Sequence, residues 1–310
     1  MKDSIKIFAP ATVANVSCGF DIFGLAVNEP GDEVIVSKRT DDKIVIQAIS
    51  GDEGKLTYDP NKNTVTVPII SYLESQGLKA GFDIILNKKM PLGSGLGSSS
   101  ASSVAGVFAI NELLGKPLQA ADLLSFAMEG ERIACGAAHA DNVAPALMGG
   151  FVVIRSYAPL DYFKISTPSD LFVSIVHPDI EVNTKDARNI LRNEVSLKTV
   201  ISQMGNVAGL VAGMLSSDYD LIGRSMEDKI IEPARAILIP QFMEVKQASL
   251  AAGALGCSIS GAGPSIFSFS KGIETAQKVA EAKRKIFASV GIHANVFVSS
   301  INQNGPIILD

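Results

Sequence analysis

The sequence predicts an α+β protein of two domains. The first is built around a glycine-rich loop, and the second is of the split βαβ, ferredoxin-like kind. One observation is the stretch Met90–Ser103 (MPLGSGLGSSSASS), which sets Gly93, Gly95 and Gly97 ahead of a run of serines. It lies between the strand-like Phe82–Lys88 and the helix-like Ala101–Leu114. A second is the order of elements from residue 171 onward, β-α-β-β-α-β with extra helix in the first crossover. A third is size: 310 residues, 47% of them hydrophobic and 19% charged, suffice for two domains of ordinary dimensions with large cores. The boundary is expected near residue 160, giving domains 1–160 and 161–310.

Taken in order, Ser4–Ala9 is expected as a short strand running into an irregular stretch, PATVANVSCGFDIFGLAV, whose Asn15 and Asp21 face a cleft. Asp32–Lys38 and Lys43–Ile49 are rich in Val and Ile and joined by a charged turn, the pattern of a hairpin. Thr64–Ser75 has helical spacing behind the turn segment DPNKN, with Asn63 placed as an N-cap. After the glycine loop, Leu118–Ala134 forms a further helix with Glu129 and Glu131 near its end. Carboxylates there oppose the helix dipole, so one of them is free for another task. The small-residue stretch GAAHADNVAPALMGGF carries His139, Asp141 and Asn142 and precedes a strand at Phe151–Ser156. Residues 157–169, with two prolines, are the best linker in the chain. Beyond it come strand Leu171–Val176, helix from Asp186 to about Met214, helix around Tyr219–Glu227 and helix Phe242–Ala252. Strand Gly256–Ser260, turn Gly261–Pro264, strand Ser265–Ser270, helix Glu274–Val290 and strand His293–Ser299 complete the series.

The glycine loop reads as a cradle for phosphate. Glycine reaches positive φ without a Cβ penalty, so successive N–H groups can turn toward one anion, and the following helix adds unpaired N–H groups and the positive end of its dipole. A Walker A loop is excluded, because no Gly-Lys-Ser/Thr ending occurs at the required spacing. The dinucleotide fingerprint fails as well, since position 98 is serine. A flexible Gly/Ser linker would not be flanked by an apolar strand and an apolar helix.

Composition narrows the partners. A net charge of −5 with scattered basic residues argues against nucleic acid. The opening MKDSIKIFAP has no signal-peptide pattern and no uninterrupted apolar run approaches the ~20 residues of a membrane span, so a cytoplasmic protein is expected. Cys18, Cys135 and Cys257 are an odd number without metal-like spacing; each adjoins a glycine and is expected as reduced, small apolar filling.

Three segments together resemble the GHMP kinase superfamily of small-molecule kinases. PLGSGLGSSSAS looks like its ATP loop, and GCSISGAGPSIFSF looks like its third motif. The opening APATVANVSCGFDIFGLAV is similar to that of the homoserine kinases within the superfamily, whereas sugar and mevalonate kinases usually carry a basic residue there. The likeness continues through EGERIACGAAHADNVAPALMGGF, DARNILR and EPARAILIP, nearly the whole chain. One departure is Val16-Ser17-Cys18, where the family commonly has Leu-Gly-Pro. It alters the stiffness of the loop and leaves Asn15 and Asp21 in place.

The resemblance implies ATP as co-substrate, held by Asn63 at the adenine edge and by Pro91, Leu92, Gly93, Ser94, Gly95, Leu96, Gly97, Ser98, Ser99, Ser100 and Ala101. The helix-cap reading of Asn63 stands beside its adenine role. Mg²⁺ wants hard oxygen ligands, which Ser99 and Glu131 could supply; the family pattern selects the same two. Glu129 keeps the reading of a solvated carboxylate. The implied substrate is L-homoserine: Arg188 and Arg235 would hold its carboxylate, Asp21 and Asn15 its ammonium, with His139 and Asn142 completing the pocket. Asp141 is the catalytic candidate, as an orienting group in preference to a base, because Thr12 and Val13 stand where a lysine would be expected. His177 and His293 are structural, and the Gly261–Gly263 turn is expected to lie against the site through its backbone alone. Another small-molecule kinase of the superfamily and a non-catalytic metabolite-binding regulator remain as alternatives. The oligomeric state is left open, a homodimer included.

Overall fold

Alternation of Ile, Phe, Ala and Val carries the first strand, β1 (Ser4–Ala14), well past its expected end, with a bulge between Pro10 and Thr12 that keeps both halves paired. The computed structural model describes residues 3–136 and 139–309; the side chain of Cys135, and so its reading as apolar filling, lies outside the described residues. β2 (Phe23–Lys38) pairs with β1 along its length. β3 (Ile44–Ser50) was expected to form a hairpin with β2, and does not. The chain instead runs through helix α1 (Val67–Ser75) into β4 (Phe82–Asn87), which inserts between them, antiparallel to β2 and parallel to β3. The charged turn explains this, because Arg39 bonds both Asp41 within the turn and Asp83 on β4, tying the turn to the inserted strand.

The glycine loop leads from β4 into α2 (Ser98–Leu113), so the serines lie inside the helix and not ahead of it. α3 (Ala120–Cys135) follows, and then a helix that the sequence hid, α4 (Ala140–Met148), which carries Pro145 in its interior and ends at Gly149. β5 (Phe151–Tyr157) and β6 (Leu160–Ile165) form a hairpin that joins the first sheet through β2. The expected linker at 157–169 is therefore mostly strand. Leu160, Tyr162 and Ile165 supply the apolar residues, and Ala158 and Pro159 make the turn.

β7 (Leu171–Pro178) opens the second sheet, and the long helical region after it is broken in two. α5 (Thr184–Asn189) is one turn and a half, capped by Asn183, and α6 (Leu197–Ser216) starts afresh at Ser196, whose hydroxyl accepts from Thr199 N–H. α7 (Tyr219–Ser225), α8 (Glu232–Arg235) and α9 (Phe242–Ala251) lead to β8 (Gly256–Ile259) and β9 (Ile266–Lys271). α10 (Ile273–Ser289) and β10 (Ala294–Ser300) close the unit. Its sheet order is β10-β7-β9-β8, all antiparallel, which is the split βαβ arrangement expected. A last strand, β11 (Ile307–Leu309), returns to pair with β1 and makes the first sheet seven-stranded.

The two sheets share a core. Val173, Ile175, Phe267 and Phe269 on the second sheet are in one apolar cluster with the residues of β1, β2 and α2. A smaller cluster under α9 and α10 fills the other face. Cys18 and Cys257 are free and buried, and burial beside Asp228 pushes the Cys18 thiol up to about 12, which fits inert filling. His177 is buried and bonded to Ser265 Oγ, and Glu129, expected as a solvated carboxylate, pairs with Arg132 at the surface.

Beneath the glycine loop lies a buried ion pair that sequence reading missed. Lys88 Nζ donates to Asp32, to the Ser98 carbonyl at 2.7 Å and to Ser102 Oγ at 2.8 Å. Asp32 also accepts from the N–H groups of Lys89 and Met90 at 2.8 and 3.0 Å and from Ser98 Oγ. The pair thus ties the end of β4 to the first turn of α2, and the loop between them is held at both ends. Removing one partner strands a buried charge. Lys88→Ala is expected to cost about 3–5 kcal/mol in urea denaturation. A loss within the ~0–1 kcal/mol of a surface pair would deny it that role.

Candidate active site

Gly93, Gly95 and Gly97 all take positive φ, at 66°, 75° and 66°. Two of them could not be otherwise: a Cβ at Gly95 would strike the carbonyls of Ser260 and Gly263, and one at Gly97 would strike Thr12 and Asn142. At Gly93 the same position is open. That open side faces a cavity of about 400 Å³, whose wall takes Leu92, Gly93, Ser94, Gly95, Gly97, Ser98 and Ser99 from the loop and the N-terminus of α2. Pro91, Leu96, Ser100 and Ala101 stand behind this wall; Leu96 and Ala101 belong to the core. Asn63 is also behind it. Its amide donates to the Thr57 carbonyl at 2.7 Å and accepts from Val65 N–H at 3.0 Å, folding the turn before α1, while its neighbours Lys62 and Thr64 reach the wall. Its predicted cap is corrected at the same point, because α1 starts at Val67 with Thr66 before it.

The serines after the loop meet the acidic helix. Ser99 Oγ and Ser100 Oγ each donate to Glu131 Oε2 at 2.9 Å, which accounts for a buried carboxylate near the end of α3. Ser99 and Glu131 therefore stand side by side at the edge of the large cavity, as a pair of hard oxygen donors. Among the described residues no three acidic, histidine or cysteine side chains group into a metal cage. The set fits a cation that takes its remaining ligands from phosphate and water, as Mg²⁺ does.

A second pocket, about 60 Å³, adjoins the first and shares Glu131, Asn142, Thr184, Gly261 and Ala262 with it. Its other walls are Asn15, Asp21, His139, Asp141, Arg188 and Arg235, with Ala14 and Phe20. Every residue expected around the substrate is thus in one place. Asn15 Nδ2 donates to the Gly261 carbonyl at 2.9 Å, and Asn15 Oδ1 accepts from the Asp21 N–H at 3.0 Å. Asp21 accepts both its bonds from Arg188 Nη2, at 2.8 and 3.1 Å. Arg235 is buried, donating to the carbonyls of Ala187 and Gly261, and both guanidinium groups lie over the Phe20 ring, 5.1 and 5.3 Å from its centre. Asn142 accepts from Thr12 Oγ1 at 2.7 Å, so the threonine that replaces a basic residue is itself in use.

Asp141 has the strongest electrostatic character in the pocket. It is buried on the first turn of α4, and its Oδ1 has no hydrogen-bond partner among the described residues. Burial, reinforced by the charges of Asp21 and Glu131, pushes its carboxyl up to about 8 against a lesser pull from Arg188. Burial also lowers His139, which sits one position before that helix. Sequence reading missed Thr184, at the start of α5 on the wall of both pockets, and Tyr157, whose hydroxyl donates to the Asp21 carbonyl and accepts from Ala140 N–H. Tyr157 fell in the expected linker, and nothing local marks it.

This geometry has counterparts in known proteins. The family model described as GHMP kinases N terminal domain matches residues 63–150, and GHMP kinases C terminal matches 210–289. The chain is 49% identical to the homoserine kinase of Chlorobium phaeobacteroides and 51% identical to that of Chlorobium phaeovibrioides, with 99% of each chain covered. The chain belongs to the homoserine kinase family of GHMP kinases. A crystal structure of homoserine kinase from Cytophaga hutchinsonii superposes with a TM-score of 0.98 at 58% identity, covering 100% of this chain and 98% of that one. An L. major mevalonate kinase in complex with R-mevalonate, at 13% identity and a TM-score of 0.75, covering 97% and 98% of the two chains, shares the fold of the family.

The Asp141 carboxyl sets a pH dependence with a definite sign. The folded chain keeps its proton up to about pH 8, whereas the ordinary value is 3.8, so ionisation between these limits opposes folding and stability falls as pH rises through that window. Asp141→Asn removes this burden. In the ligand-free protein its thermal midpoint is expected to gain on the parent as pH rises from 4 to 8. A difference between the two proteins that is constant with pH would show that Asp141 is ionised in the fold.

Proposed function

We propose that the chain transfers the γ-phosphoryl group of ATP to the side-chain hydroxyl of L-homoserine, giving O-phospho-L-homoserine, a step toward threonine in the cytoplasm. The observation that carries this is the shared wall. A pocket with two guanidinium groups and a carboxylate, suited to an amino acid zwitterion, opens beside a glycine loop suited to a polyphosphate. Arg188 and Arg235 would take the substrate carboxylate, while Asp21 and Asn15 would take the ammonium. His139 and Asn142 close the pocket around the carbon chain, and the hydroxyl would then point along the wall shared with the loop.

The loop and the first turn of α2 would hold the phosphates through backbone N–H groups and the serine hydroxyls, with the buried Ser94 Oγ, which has no partner among the described residues, as one further donor. Ser99 and Glu131 would hold Mg²⁺, which would supply positive charge to offset that of the phosphates. Lys62, Thr64 and Leu56 also line this cavity, and the nucleoside would lie against them.

Asp141 is assigned an orienting role. A carboxyl that burial pushes up to about 8 is mostly protonated at neutral pH, and in that form it can hold the hydroxyl by donating to it. Phosphoryl transfer passes through a loose transition state in which little charge develops on the attacking oxygen. Positioning then contributes more than base catalysis does, and the hydroxyl proton leaves late.

The first test is ADP release with MgATP and either L-homoserine, mevalonate or galactose. Strong stimulation by L-homoserine alone is expected; equal stimulation by mevalonate would move the assignment to another kinase of the superfamily, and none by any would favour a binding protein. A second test separates the roles of residues. Arg235→Ala is expected to raise the KM for L-homoserine roughly 10- to 150-fold, the worth of one charge-assisted hydrogen bond, with the KM for ATP unchanged. Glu131→Gln is expected to change the Mg²⁺ dependence of the rate. An unaltered KM in the first, or an unaltered Mg²⁺ requirement in the second, removes that residue from its role.

A further inference from the structure

We infer that Tyr157 is a positioning residue: its hydroxyl sets the span between Asp21 and Asp141 in the small pocket and so matches the site to the length of its substrate. The inference rests on the roles proposed above, in which Asp21 takes the substrate ammonium and Asp141 the hydroxyl. Those two groups lie at opposite ends of a short carbon chain. A site that grips both must hold its own two carboxyl groups at a fixed separation.

The pocket carboxyls do not set that separation themselves. Asp21 lies in the loop between β1 and β2, and Asp141 stands on the first turn of α4. Asp21 spends both carboxylate oxygens on Arg188, while Asp141 Oδ1 has no partner among the described residues.

Tyr157 touches the backbone on both sides. Its hydroxyl donates to the Asp21 carbonyl at 2.8 Å and accepts from the Ala140 N–H at 3.3 Å. Ala140 opens α4, and His139 before it makes no side-chain cap bond, so the tyrosine oxygen caps the helix at the residue next to Asp141. The ring contributes little packing, since Tyr157 is 41% exposed and belongs to neither apolar cluster. The enclosed end is the hydroxyl. Burial, with Asp141 close by, raises it well above its ordinary value, so it keeps its proton for the Asp21 carbonyl through neutral and mildly alkaline pH.

The sheet puts that hydroxyl in place. Tyr157 is the last residue of β5, just beyond a bulge between Ile154 and Ser156 that bends the strand. Ile154 N–H donates to the Ile22 carbonyl at 2.8 Å, which pins β5 one residue after Asp21. α4 meets the same strand pair, because a Cβ on Gly24 would strike the Asp141 carbonyl. Strand, loop and helix thus converge on one oxygen. Without it Asp21 keeps two other ties, its N–H to Asn15 Oδ1 and its carboxylate to Arg188. The Ala140 N–H has no second acceptor among the described residues, so the first turn of α4, and Asp141 with it, is the part that shifts.

Tyr157→Phe keeps the ring and removes the hydroxyl alone, and its circular dichroism should match that of the parent. With MgATP, its KM for L-homoserine is expected to rise roughly 5- to 50-fold, the worth of one buried hydrogen bond and its stranded partners, with the KM for ATP unchanged. The deciding comparison is L-2-aminobutyrate, which is L-homoserine without its hydroxyl and engages only the ammonium and carboxylate anchors. Its inhibition constant against L-homoserine should stay near the parent value, so that the variant loses the preference for the ligand bearing the hydroxyl. A general loosening would weaken both ligands by one factor. That result, an unchanged KM for L-homoserine, or a KM for ATP that rises in step would overturn the inference and leave the proposed function standing. A parent whose ADP release L-homoserine does not stimulate would overturn the proposed function, and this role with it.

Discussion

The site depends on one close approach of backbone to backbone, between the glycine loop and the Gly261 turn. Ser260 Oγ donates to the Gly95 carbonyl at 2.7 Å, Ser265 N–H to the Ser94 carbonyl at 3.2 Å, and Gly261 N–H to the Ala14 carbonyl at 3.2 Å. These contacts need a residue without Cβ at Gly95, and they join β1, the loop and the second sheet at a single point. The Gly261 carbonyl then accepts from both Asn15 and Arg235. Two walls of the small pocket are thereby registered against a third without any side chain from the turn, and the glycine loop is registered against all three.

Part of the pocket is paired before any ligand arrives. Asp21 and Arg188 bond to each other, Arg235 donates to two carbonyls, and burial pushes the Asp141 carboxyl up to about 8. The proposed zwitterionic substrate carries the same two charges as that ion pair, so it can insert between Asp21 and Arg188 and give each a partner of the sign it had. A neutral alcohol of equal size would break the pair and return nothing. Selection of an amino acid then follows from the cost of leaving a charge unpaired more than from fit, and it is carried by residues that already face each other.

Much of this was legible in the chain. Spacing of glycines and serines between two apolar elements revealed the loop, because a phosphate cradle is local in sequence, and the alternation of strands and helices revealed the second sheet. The proposed substrate residues come only from a resemblance, since Asn15, Asp21, His139, Arg188 and Arg235 lie in five separate places and no local pattern marks any of them. What stayed hidden was non-local. Asp32 and Lys88 form a pair across the β2–β4 contact, and that contact was itself obscured by the apparent hairpin. Tyr157 lay in a stretch whose prolines suggested a linker, and α4 was masked by its interior proline and flanking glycines. In each case the local signal was weaker than the tertiary contacts that decide the outcome.

Val16-Ser17-Cys18, where the resemblance led to an expectation of Leu-Gly-Pro, falls on the most strained backbone in the site. Asn15, Val16 and Ser17 take left-handed φ in succession, at 67°, 37° and 66°, and Asp21 follows at 59°. For a β-branched residue such as Val16 this conformation is costly, on the order of 1–3 kcal/mol, and it persists only where surroundings enforce it. The surroundings do so from both sides. Inside, the Val16 side chain is wholly buried in the shared core, and Asn15 is held by Gly261 and by the Asp21 N–H. Outside, Gln203 of α6 fixes the Cys18 carbonyl, and the Phe23 carbonyl accepts from Asn15 N–H. A loop whose own sequence resists its shape is thus set by α6 on one face and by the phosphate-loop contact on the other. Asp21 stands at its far end, so the strain fixes the carboxylate as a property of the whole fold and not of the loop alone.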